Sequence, residues 1–186
     1  MKISQLQPNE YGQFYANYLA QVSDEYTLVE ELEISVHRLV KFVREIPMDK
    51  FDYRYAEGKW TIKDILLHLI DAERIFAYRA LRIARNDTTP LPGFEENDYV
   101  ETAHANRRSV NDLLEEFVIV RKATMSLFST FTDEQLIRMG TASENPVSVR
   151  AIGFIILGLT VHLLDKDSIG SFRIRVPFRT LIVVGM

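Results

Sequence analysis

The run VSVRAIGFIILGLTVHLL, Val147 to Leu164, constrains this chain more than any other stretch. It reads as one helix that is apolar on nearly every side, and a helix of that kind is stable only when other helices surround it. Its partners are visible upstream. Leu28, Leu32, Val36, Leu39 and Val43 recur at three-and-four spacing, which predicts a helix from about Ser23 to Ile46 that Pro47 closes. A second is predicted from Thr61 to about Arg85, with Ile65, Leu69, Ala72, Phe76, Ala80 and Ile83 on its buried side. Thr61 and Asp64 approximate a capping box at its start, and NDTTPLPGF ends it because two prolines and a glycine cannot continue a helix. A third is predicted from around Asn106 to Phe131, marked by Leu113, Phe117, Val120 and Phe128, with a charged outer face. The apolar run itself is predicted to begin near Asn145-Pro146, since Asn caps well and Pro suits the first helical position.

Four helices with few strand signals before residue 165 predict an all-α four-helix bundle. A length of 186 residues with 47% apolar content supports one such domain, taken as 1–165. Residues 166–186 form an atypical tail. There Phe172, Ile174 and Val176 alternate with Arg173 and Arg175 at period two, which reads as a strand or as disorder.

The formal net charge of -4 carries no electrostatic footprint for nucleic acid. Without cysteine there is no disulfide framework, thiolate metal site or cysteine nucleophile, so any metal must be held by His, Asp or Glu. The opening MKISQLQPNEYGQFY has no basic region followed by an apolar run, and no stretch approaches the roughly 20 apolar residues of a membrane span. A cytoplasmic protein without a membrane partner is expected.

Four histidines are the remaining candidates for chemistry. His37 and His104 lie among charged or polar neighbours and read as surface or interhelix residues rather than ligands. His68, in DILLHLIDAER, sits at the margin of the apolar stripe with its ring turned inward, so it needs either a core hydrogen bond or a metal. His162 has the same two readings. If both reached one cavity, two imidazoles and water would begin a metal site, whereas a catalytic zinc normally takes three protein ligands. No G-x-S-x-G, P-loop, Rossmann glycine pattern or H-E-x-x-H occurs.

The run RYAEGKWTIKDILLHLIDAERIFAYRALRIARNDTTPLPGFEENDYV, with GTASENPVSVRAIGFIILG further on, resembles the DinB/YfiT-like metalloenzymes over most of the chain. The resemblance implies a four-helix bundle, a homodimer, and a divalent metal, zinc or nickel, held by three histidines. It also implies a thiol S-transferase acting with a low-molecular-weight thiol, or a metal-dependent hydrolase, on a small-molecule substrate. Carried onto this sequence, the first ligand is His68 and the other two fall on Leu159 and Leu163, four residues apart on one helix face. Leucine replaces both expected ligands.

His162 matches the histidine that precedes the last ligand. A shifted site would use His68 and His162 as metal ligands, with Asp165 or Asp167 adding an oxygen. Glu73, Arg74, Tyr78 and Arg79, together with FEENDY, are candidates for the mouth of the site or for a solvated helix face. From DKDSIGSF onward the family pattern stops, which a shifted reading frame or a divergent gene end explains equally. Two functions follow: an enzyme of this family with an impaired or lost metal site, or a metal-free dimeric binding or interaction module whose cavity Leu159 and Leu163 fill.

Overall fold

The computed structural model describes residues 1–54, 56 and 58–164. The predicted strand or disorder of the tail, its suspected frame change, and Asp165 and Asp167 therefore lie outside the described residues. Helices α1 (Ala16–Leu19), α2 (Leu28–Glu45), α3 (Ile62–Ala84), α4 (Glu96–Ala103), α5 (Val110–Phe128) and α6 (Asp133–Leu136) come first. A hairpin of β1 (Met139–Ala142) and β2 (Asn145–Ser148) then leads into α7 (Val149–Leu164). The bundle is made by α2, α3, α5 and α7, with α3 packed against both α5 and α7.

Capping chemistry sets the starts, and it moves three predicted boundaries. Thr27 and Glu30 form a reciprocal capping box, so α2 begins at Leu28 rather than near Ser23. Ser109 and Asp112 do the same for α5, which starts at Val110 and not at Asn106. The prediction for α3 holds: Thr61 accepts the Asp64 amide at 3.1 Å while Asp64 accepts the Thr61 amide at 2.9 Å.

The expected start of the last helix at Asn145-Pro146 is corrected. Those residues lie in β2, paired antiparallel with β1 across a turn in which Ser143 and Glu144 both have positive φ, 48° and 62°. Ser148 caps α7 instead, accepting the Ala151 amide at 3.0 Å and donating to Glu10 at 2.7 Å. Arg150 grips the same carboxylate, which ties the N-terminal segment to the root of α7. Burial opposes the charge on Glu10, but hydrogen bonds from Arg150, Ser148 and the Gln7 amide outweigh it and hold the carboxyl below its usual range.

Two apolar clusters fill the bundle. One joins Leu28, Leu32, Phe76, Phe128 and most of α7, and the other joins Leu39, Val43, Leu66, Ile70, Leu113 and Phe117. Between the helices sits a fully buried cation. Arg121, 0% exposed, donates Nε to both oxygens of Glu73 at 2.8 and 3.0 Å, Nη2 to Thr160 at 2.8 Å, and Nη1 to Ser35. One side chain thus joins α2, α3, α5 and α7. No helix of the described residues is long and apolar enough to cross a membrane.

Candidate functional site

His68 lies in the first half of α3, half-buried, with its ring against Trp60 at 5.0 Å between centroids. It lines a small pocket between α3 and the α4 region, together with Asp64, Asp71, Phe94, Tyr99 and Ala103. About 10 Å³ of it admits the centre of a water molecule. That is room for about one water or one ion, since a water needs at least 10–15 Å³ by this measure. No described residue hydrogen-bonds the His68 imidazole. Burial pushes its pKa down to about 4, so at neutral pH the ring is uncharged and can offer a lone pair into the pocket.

The carboxylates beside it are committed elsewhere or too far along the helix. Asp64 caps α3 and meets Arg54 at 3.3 Å, while Asp71 is 3.6 Å from Arg74 and burial raises its carboxyl. Residues 64 and 71 are separated by about 10.5 Å along a helix axis, so they cannot share one ion with His68. His162 has other neighbours: its ring meets Tyr18 edge-on at 5.0 Å, and its Nδ1 pairs with the Gln21 amide group at 3.0 Å.

Leu159 packs against both apolar clusters and Leu163 against the second. Among the described residues no three of His, Asp and Glu come together as a metal-holding group. The residues present do not fit a three-histidine centre.

The sequence reading could not place several side chains around the site. Glu73 and Arg79, which read equally well as a solvated helix face, are each 2% exposed. Arg74 and Tyr78 do face outward, Arg74 pairing with Glu116 at 2.6 Å. Of FEENDY, Phe94 and Tyr99 line the pocket, Tyr99 from α4 and Phe94 from the segment just before it, and no apolar periodicity gave notice of that helix. Tyr15, Tyr18 and Gln21 come from an N-terminal segment of 3₁₀ turns and one α turn. Its signal was the recurrence of Phe14, Tyr15, Tyr18, Leu19 and Val22 at helical spacing. His37 and His104 are exposed, as expected.

Residues 31–165 match the family model of the DinB superfamily. A protein of Oceanobacillus iheyensis, named as a candidate metal-dependent hydrolase, is 23% identical over 62% of this chain and 66% of its own length. One of Bacillus cereus with the same designation is 25% identical over 48% of this chain and 52% of its own. The chain thus spans between about half and two thirds of the length of these curated relatives. Among solved structures, YfiT from Bacillus subtilis is described as a probable metal-dependent hydrolase with an unusual four-helix bundle topology. It superposes with a TM-score of 0.63 at 18% identity, over 76% of this chain and 83% of that one, which is a likeness of fold.

Proposed function

The chain belongs to the DinB superfamily, and from that premise we propose that it is a bundle of the metal-dependent hydrolase type whose metal centre is incomplete. The cleft beside His68, which holds about one water as it stands, is left as a site that a small molecule enters when α4 shifts. The hydrolase designation of its relatives supports the first half of this reading. The observation that carries the second is that, of three positions where the family resemblance expects an imidazole, only His68 has one, while Leu159 and Leu163 are packed into the apolar clusters. Both hydrolysis and thiol transfer in such a fold depend on an ion that lowers the pKa of water or thiol. Leucines give that ion no ligand. What remains is a neutral imidazole, two aromatic walls and the carboxyls of Asp64 and Asp71 in a pocket that α4 roofs.

Elemental analysis of the full chain, after loading with zinc, nickel or manganese and removal of excess, tests this reading beside His68→Ala. No bound metal in either protein supports it. One metal per chain, lost in the variant, overturns it and makes His162 with Asp165 or Asp167 the next ligands to substitute. The reading keeps the homodimer, for which light scattering should return twice the 21.5 kDa of one chain.

A further inference from the structure

Arg121, Arg150 and Arg79 all carry guanidinium groups withdrawn from open solvent, and the first two face carboxylates, Glu73 and Glu10. Arg79 faces none. It is 2% exposed, yet among the described residues it forms no ion pair. Its Nη2 donates to the Pro92 carbonyl at 2.6 Å and to the Ser143 hydroxyl at 3.1 Å. Its guanidinium carbon stands 5.3 Å from the Phe76 ring centre and 5.9 Å from that of Phe94. Of the five N–H donors of an arginine, the three on Nε and Nη1 meet no acceptor among the described residues, and neither atom is sealed from solvent. Carbonyl, hydroxyl and ring faces offset only part of the cost of withdrawing a cation from water; an anion is the partner such a group lacks.

We propose that Arg79 anchors a small oxyanion, the carboxylate or phosphate end of a ligand, next to Phe94. Phe94 belongs to both places, since it lines the His68 pocket and also stands by the guanidinium. Tyr15 approaches from α1's side with its ring edge-on to Phe76 at 6.1 Å, and its phenol, which no described residue hydrogen-bonds, lies within electrostatic reach of Arg79. The acid beyond Tyr15 is Glu96, which forms no ion pair with Arg79. Burial pushes the Glu96 carboxyl up to about 7, which weakens its repulsion of an incoming anion near neutrality and below. The assignment of that anion to a ligand of the cleft rests on the reading of the cleft as the working site; the anion itself is detected without any metal.

The test uses the full chain with sodium acetate and sodium phosphate as probes, against sodium chloride at equal ionic strength. Melting temperature, calorimetric titration and the NMR signal of the Arg79 Nε–H are followed in wild type, Arg79→Gln and Tyr15→Phe. Acetate or phosphate should raise the wild-type melting temperature by several degrees over chloride and shift the Nε–H signal. Affinity should fall about tenfold or more in Arg79→Gln. The preferred probe tells a carboxylate from a phosphate. If Arg79→Gln does not fold, Tyr15→Phe, which deletes only a hydroxyl, should still weaken the probe. No response beyond chloride, an unmoved Nε–H signal, or equal binding by wild type and Arg79→Gln overturns the proposal. Metal content measured on the same samples judges the metal-free reading separately.

Discussion

Glu96 has the titration most open to measurement. Burial first, and the charge of Glu95 second, lift its carboxyl from 4.5 to about 7. Between those values the folded chain holds a proton that the unfolded chain has released, so stability falls as pH rises through the window. Glu96→Gln has no such proton to lose. Relative to wild type it should gain about 1–2 kcal/mol between about pH 5 and about pH 8, allowing for its partial exposure; chemical denaturation at the two pH values reads this directly. A parallel pair of curves would show that Glu96 ionises normally. The family resemblance, rather than helix periodicity, singled out the leucines at 159 and 163, while His68 stood out from its place at the margin of an apolar stripe. Sequence reading could not rank Arg79 or Glu73 above their exposed neighbours, since a charged residue next to an apolar stripe looks the same whether it faces water or another helix.

The same contrast holds for whole elements. Long periodic stretches were legible to within a few residues, and their corrected starts at Leu28 and Val110 follow from the capping boxes that precede them. The β1–β2 hairpin was not legible, because Asn-Pro serves a helix start and a strand edge alike, and only the two positive-φ residues before it decide the matter. The short α1 was hidden too, yet it has a precise seat. A Cβ on Gly158 would lie 2.9 Å from the Tyr18 carbonyl oxygen, a backbone atom that has no rotamer to retreat into. Gly158→Ala gains about 1 kcal/mol of helix propensity within α7 but must push α1 away, and overpacking of this kind costs typically 1–3 kcal/mol. The variant should be destabilised overall, with α1 the displaced part. Urea unfolding, together with the chemical shifts of His162, measures both; a variant more stable than wild type would mean that α1 yields freely.

On the scale of the whole molecule, the four-helix plan followed from pattern alone, while what joins the helices did not, because the partners of Arg121 are far apart in sequence. Glu73→Gln leaves a buried cation without its counter-charge and should cost roughly 3–5 kcal/mol, whereas Glu73→Leu with Arg121→Met should recover most of that loss. A cost below about 1 kcal/mol for the single change would show that water reaches the pair. The wider consequence concerns how the protein comes apart. Any one of α2, α3, α5 or α7 that leaves the bundle strips a partner from the same guanidinium, so partial opening of any of them carries a penalty close to that of opening all. Backbone amides in these four helices should therefore exchange with deuterium as one slow cooperative unit. Amides of α4, which buries no side chain completely, should exchange much faster, and the roof over His68 can lift while the rest of the protein stays folded.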